Sequence, residues 1–139
     1  MAAVLPKGPS GLSIPAGSVA LVIDDEEVIR ALAHDVLSRA GMRVLLAQDG
    51  KSGVELFRQH CIVSAVILDL TMPVMGGEEA LPRIKQINPN VPVILSTGFD
   101  EGEAARRFSG LKPQGFLQKP YTNERLLEAL AATLTRRPD

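Results

Sequence analysis

A doubly wound α/β domain built on a parallel sheet is what this chain predicts, and three observations carry that prediction. Short continuous apolar runs rich in Val and Ile recur along the sequence, as strands buried on both faces require. Between the runs the apolar pattern changes to a helical period. The first, third and fifth runs are each followed closely by charged residues, Asp24-Asp25, Asp69 and Lys119. In a parallel open sheet the carboxyl ends of the strands share one edge, and ligand chemistry gathers there.

The first strand is Val19-Ala20-Leu21-Val22-Ile23. A helix over residues 26 to 40 places Val28, Leu32, Val36 and Ala40 on one stripe, with Ile29, Ala33 and Leu37 beside them and Gly41 as a left-handed stop. Val44-Leu45-Leu46-Ala47 forms the second strand and residues 50 to 59 the next helix. Ala65-Val66-Ile67-Leu68 is the third strand, followed by a helix over residues 77 to 87 that contains Pro82. Proline there removes a hydrogen bond and clashes with the preceding turn, so this helix is expected to start late, kink or shift. The fourth strand, Val91-Pro92-Val93-Ile94-Leu95, has its proline near the start, where a missing N–H costs least. A helix over about residues 100 to 108 follows, then Gly115-Phe116-Leu117 as the fifth strand. The last helix, residues 122 to 134, spaces Leu126, Leu130 and Leu134 four apart, with Leu127 and Ala131 flanking and Thr122 as its N-cap.

A chain of 139 residues with 45% hydrophobic content suits one such domain. A net charge of −1 leaves no electrostatic footprint for nucleic acid, and no apolar run reaches membrane-spanning length. Cys61 stands alone, so no internal disulfide forms, which suits a reducing compartment. Pro6, Pro9, Pro15, Gly8, Gly11 and Gly17 mark residues 1–18 as a linker without the apolar stretch of a secretory signal. The expected organisation is that linker, one domain over residues 19–135, and a tail at 136–139.

Each charged residue has a plain reading when taken singly. Asp24-Asp25 could cap a helix, Asp69 and Thr97-Gly98 could be turn residues, and Lys119 a solvated charge. Their coincidence at strand ends argues otherwise: three carboxylates and one ammonium in a single crevice describe a site for a divalent cation and a phosphoryl group. His34 falls on the polar side of its helix and is expected to be exposed. His60-Cys61 lacks a second ligand pair for a metal, and Met42, Met72 and Met75 read as core or loop filling.

Four motifs now stand together: Val22-Ile23-Asp24-Asp25-Glu26, Leu68-Asp69-Leu70-Thr71-Met72-Pro73, Leu95-Ser96-Thr97-Gly98 and Phe116-Leu117-Gln118-Lys119-Pro120. In this order and spacing the set resembles the receiver domain of two-component response regulators, over roughly residues 19 to 134. The resemblance implies a flavodoxin-like fold with strand order 2-1-3-4-5. It implies Asp69 as the phosphoryl acceptor, and Asp24, Asp25, Asp69 and the Thr71 backbone carbonyl as ligands of Mg²⁺, with Mn²⁺ as a substitute. Lys119 and Thr97 would contact the phosphoryl oxygens, Phe116 would be the aromatic switch, and the Lys119-Pro120 peptide would be cis.

By the same resemblance Thr71 and Phe99 would flank the approach of an attacking water. They are expected to give a phosphoryl lifetime longer than that of a fast chemotaxis-type receiver. The implied partners are a histidine kinase or histidine phosphotransfer domain as donor, and a protein bound at the face of helix four, strand five and helix five. A homodimer formed on phosphorylation and a bacterial cytoplasmic location belong to the same expectation.

The sequences around Met72, Val93 and Lys119 also resemble receivers at the C-terminal end of hybrid sensor histidine kinases; a freestanding regulator is the alternative. Such a domain is not a metabolic enzyme by itself. A phosphohydrolase of the haloacid dehalogenase type would need an aspartate where Thr71 stands. A pseudo-receiver would lack the acidic pair, the acceptor or the lysine, and all are present.

Overall fold

The computed structural model describes residues 14–60, 62–72 and 74–135. Cys61, Pro73, the first thirteen residues of the expected linker and the 136–139 tail lie outside the described residues. Strands and helices alternate: β1 Val19–Ile23, α1 Glu27–Arg39, β2 Arg43–Ala47, α2 Gly50–Gln59, β3 Ala65–Asp69, α3 Gly77–Ile87, β4 Val93–Thr97, α4 Glu101–Phe108, β5 Gly115–Gln118 and α5 Asn123–Thr135. All strand pairs are parallel, in the order β2-β1-β3-β4-β5, so the predicted doubly wound fold and strand order are the observed ones.

The continuous apolar runs serve two cores. Leu21, Ile23, Val66, Leu68, Val93 and Leu95 point to one face, against Val54 and Phe57 of α2 and Leu81 and Ile84 of α3. Ala20, Val22, Ala65, Ile67, Ile94 and Leu117 point to the other, against Ala33, Val36 and Leu37 of α1 and Leu126 and Leu130 of α5. Side chains alternate across a strand, so only an unbroken apolar run can fill both layers. The second layer also takes Ile14, 4% exposed, so the packed body begins ahead of β1, within the stretch read as linker.

Local signals act as expected at two helix ends. Gly41 has φ +89°, and its N–H donates to the Ser38 carbonyl while that of Met42 donates to Leu37, a Schellman stop for α1. The Arg125 N–H donates to Thr122 Oγ1, which caps α5.

Three expectations are corrected. Val28, placed on the buried stripe of α1, is 77% exposed. Four-residue spacing drifts about 40° around the axis per step, and the sheet covers only the later part of that spiral. Helix α3 runs unbroken from Gly77 to Ile87 with Pro82 inside, so it does not start late. Pro82 and Glu78, whose carbonyl loses its partner, are both exposed, where water can replace the bond. Strand β4 begins at Val93, two residues later than read, because Pro92 cannot donate to the ladder; its carbonyl accepts from the Val66 N–H. The shift makes Thr97 the last residue of the strand. Among the described residues no helix is long and apolar enough to cross a membrane.

Candidate functional site

Asp24 follows β1, Asp69 ends β3 and Lys119 follows β5, and the parallel sheet brings all three to its carboxyl edge. Asp24 and Asp69 are 2% and 4% exposed, an environment in which carboxylates need partners. One carboxylate oxygen from each of Asp24, Asp25 and Asp69 falls within a cluster no wider than 4.8 Å. These hard oxygen donors, two buried and one exposed, fit a divalent cation that keeps part of its water shell.

Lys119 binds this cluster together. Its Nζ lies 2.9 Å from Asp24 Oδ2, 3.1 Å from Glu26 Oε1 and 3.3 Å from Asp69 Oδ2. Burial works against the ammonium charge, but the hydrogen bonds to Asp24 and Glu26 and the charge of Asp69 outweigh it and hold the lysine above its ordinary range. Asp69 is pushed up to about 7, first by burial and then by Asp24, against the opposing pull of Lys119. Asp69 is therefore short of positive charge, a lack that a bound cation would make up.

The loops that follow the strands fix these groups. Asp24 Oδ1 accepts the Glu26 N–H at 2.9 Å, and Arg30 donates to the Asp24 carbonyl at 2.8 Å. The Thr71 N–H donates to Asp69 Oδ1 at 3.3 Å. Gly77 lets α3 start directly against the end of β3; a Cβ there would lie 2.8 Å from the Asp69 carbonyl oxygen. The Lys119 N–H donates to the Thr97 carbonyl at 2.7 Å, and the Lys119-Pro120 peptide is cis.

Thr97 and Phe116 belong to the α2/α3 side of the sheet: Phe116 is the register partner of Leu95, and it packs against that core while half-buried. Thr97 Oγ1 accepts the Phe99 N–H at 3.2 Å. The Phe99 ring is 38% exposed and turned to α4, with the Arg107 guanidinium 4.7 Å from its centroid and the Phe108 ring 6.1 Å away. The structure thus gathers Asp24, Asp25, Asp69 and Lys119, seats Thr97 and Thr71 beside them, and leaves Phe116 and Phe99 on the α4 side.

Sequence reasoning missed Glu26 as a partner of Lys119, although it follows the acidic pair directly. It also missed Tyr121, whose hydroxyl is buried without a partner among the described residues. Burial and the Asp24 carboxylate push that phenol up to about 12. His34 and His60 are exposed.

Comparison with known proteins follows the same outline. The family model described as "Response regulator receiver domain" matches residues 20–131. The chain is 34% identical over 116 residues to the autoinducer 1 sensor kinase/phosphatase LuxN of Vibrio campbellii, covering 84% of this chain but 13% of that protein. It is 31% identical over 115 residues to the chemotaxis protein CheY of Bacillus subtilis, covering 82% of this chain and 95% of that one. Among solved structures, Vibrio cholerae CheY4 superposes with a TM-score of 0.79 at 27% identity, covering 86% of this chain and all of that chain. A response regulator receiver domain protein from Clostridium thermocellum gives 0.77 at 31% identity, covering 84% and 94%.

Proposed function

Because the chain belongs to the response regulator receiver domain family, the phosphoacceptor modules of two-component signalling, we propose that Asp69 is the residue that accepts the phosphoryl group. The observation that carries this reading is the placement of a buried strand-end carboxylate in one cluster with Asp24 and Asp25 and with the Lys119 ammonium 3.3 Å away. Asp69 attacks phosphorus; a bond from its carboxylate oxygen to phosphorus forms as the bond to the donor's imidazole nitrogen breaks, leaving an aspartyl phosphate.

Asp24, Asp25, Asp69 and the Thr71 backbone carbonyl would hold Mg²⁺, or Mn²⁺ in its place, which when bound supplies the charge that lets a carboxylate meet a phosphoryl group. Lys119 exchanges its carboxylate partners for a phosphoryl oxygen, a change its flexible stem and compact charge allow. Thr97 Oγ1 now accepts from Phe99, so its own proton is free to reach a phosphoryl oxygen once the loop moves. Phe116, on the same side of the sheet, would follow that movement and repack the face of α4, β5 and α5. Thr71 and Phe99 would set the phosphoryl lifetime.

The phosphodonor in this reading is a histidine kinase or histidine phosphotransfer domain, and residues 19–135 form the responding unit. The chain spans about an eighth of LuxN and nearly all of CheY, and either a hybrid kinase or a freestanding regulator would use the site in the same way. The α4–β5–α5 face would take a downstream protein or a second phosphorylated copy, in the bacterial cytoplasm.

Intact-mass analysis after incubation with acetyl phosphate, with and without Mg²⁺, tests the assignment on wild type and Asp69→Asn. One Mg²⁺-dependent phosphoryl adduct, absent from the variant, is expected. An adduct retained by Asp69→Asn would move the acceptor elsewhere, and no adduct on wild type would make the domain a binding module.

A further inference from the structure

Ser96 is 1% exposed, and its hydroxyl has no hydrogen-bond partner among the described residues. A buried hydroxyl left unpaired is costly, and a functional role is one of the reasons a native fold keeps one. Its position singles it out. In the β3–β4 ladder Ser96 is the register partner of Asp69, and in the β4–β5 ladder it is the partner of Leu117. Leu117 belongs to the α1/α5 layer while Leu68 and Leu95, the residues just before Asp69 and Ser96, belong to the opposite one. Alternation therefore puts the Asp69 carboxylate and the Ser96 hydroxyl on the same face of neighbouring strands, and such strands run about 4.8 Å apart. Thr97, the next residue, lies on the other face.

Asp69 has room for another donor. Its contacts to the Thr71 N–H and to Lys119 are both 3.3 Å, at the long end of hydrogen bonding, and a carboxylate accepts about four such bonds. A serine side chain one strand spacing away changes direction by rotating a single bond. An unused donor thus stands beside an undersupplied acceptor.

We propose that Ser96 is a positioning residue for the acceptor, its hydroxyl donating to the Asp69 carboxylate as the phosphoryl group leaves. The inference rests on the reading of Asp69 as the phosphorylated residue. When the aspartyl phosphate is lost, the bond between phosphorus and the Asp69 oxygen breaks and its electron pair returns to the carboxylate. Phosphorus passes to an incoming water, which gives its proton to the phosphate product or the solvent, or to the imidazole nitrogen of a partner. A donor on that carboxylate stabilises the developing charge, making Asp69 a better leaving group and a weaker nucleophile. Ser96 is then set against a long-lived phosphoryl group: it favours return of phosphate to water or onward to histidine. Thr97 would hold the phosphoryl oxygens from one side of the sheet while Ser96 acts on the carboxylate from the other.

The test is the decay of the adduct after acetyl phosphate is removed, followed by intact mass in the full chain carrying Ser96→Ala, Ser96→Thr or Tyr121→Phe. Ser96→Ala is expected to lose its phosphoryl group about threefold to tenfold more slowly than wild type, the effect of one hydrogen bond in the transition state. Ser96→Thr, which keeps the hydroxyl, should stay within about twofold of wild type, and Tyr121→Phe should do the same. Thermal melts of the unphosphorylated variants separate packing losses from chemistry.

Equal decay in wild type and Ser96→Ala overturns the proposal. So does slow decay in both Ser96→Ala and Ser96→Thr, since volume would then be the cause. Slow decay in Tyr121→Phe equal to that of Ser96→Ala also overturns it, because the effect would then follow the loss of any buried hydroxyl rather than a donor to Asp69. An adduct missing from wild type removes the Asp69 reading itself and the proposal with it, a result distinct from the other three.

Discussion

Two lysines sit at opposite ends of the sheet and are held in opposite ways. At the carboxyl end Lys119 meets three carboxylates, and they raise its pKa. At the amino end Lys85 of α3 donates to the Val91 carbonyl at 2.6 Å and to Gln114 Oε1 at 2.9 Å, among the described residues neutral oxygens only, and burial lowers its pKa. Gln114 Oε1 also accepts the Val93 N–H at 2.8 Å, so the second lysine ties α3 to the starts of β4 and β5. Neutral acceptors make a clamp that has no reason to open. Carboxylates in excess of one ammonium make a site whose balance shifts as soon as another charged group enters. The same side chain is thus pinned by neutral oxygens at one end and by carboxylates at the other.

The sharpest test of that contrast is to remove each ammonium. Lys119→Met leaves buried carboxylates without their cation and is expected to cost about 3 kcal/mol in chelator at pH 8, most of it recovered in millimolar Mg²⁺. Lys85→Met leaves the Val91 carbonyl short of a donor and should cost about 1 kcal/mol, with no response to Mg²⁺. Denaturant titrations with and without Mg²⁺ read both. Equal losses, or a Mg²⁺ response in Lys85→Met, would erase the distinction.

The pH dependence should come from the carboxyl end as well. Asp69 stands at about 7 in the folded protein against an ordinary 3.8. Between those values the folded state keeps a proton that the unfolded chain has released, so this group's stabilisation is full below about pH 4 and is lost as pH rises through about 7. In chelator the melting temperature of wild type should fall from pH 5 to pH 8 relative to that of Asp69→Asn. Parallel profiles for the two proteins would place the lost charge balance elsewhere.

A smaller difference concerns the backbone. Val74, in the loop after β3, has φ +70°, and Lys112, before β5, has φ +57°. A β-branched residue is strained there, and an unbranched one less so. Val74→Gly should stabilise by about 1 kcal/mol and Lys112→Gly by about half of that, as read from denaturant midpoints. A larger gain at Lys112 would reverse the ranking of the two ends.

Much of this was legible in the residues, for reasons that can be named. Apolar runs such as Val19–Ile23 show two-sided burial directly, and Gly41 and Thr122 act within their own turns, so helix ends follow from a few adjacent residues. Asp24, Asp69 and Lys119 could be placed together because a parallel sheet fixes where strands end. Other features were hidden because they depend on angle or register. Val28 shares its helix stripe with buried neighbours yet faces out, and Pro92 sits in an apolar run that becomes strand only after it. Glu26 joined the site through a contact with Lys119, which lies on the far side of the fold in sequence.

By itself the sequence determined the fold class, the order of the elements and the meeting of Asp24, Asp69 and Lys119 at the carboxyl edge, because each is written in local period, turn chemistry or strand-end position. Only the tertiary structure decided which groups meet across strands: Lys119 with Glu26 as well as Asp24, Lys85 with Gln114, and Ser96 beside Asp69. The Ser96–Asp69 pairing is set by the register of β3 on β4, and the lysine contacts by which loops and helix the sheet order brings to each of its ends. Register is fixed when two apolar layers are buried at once, and no window of neighbouring residues contains both.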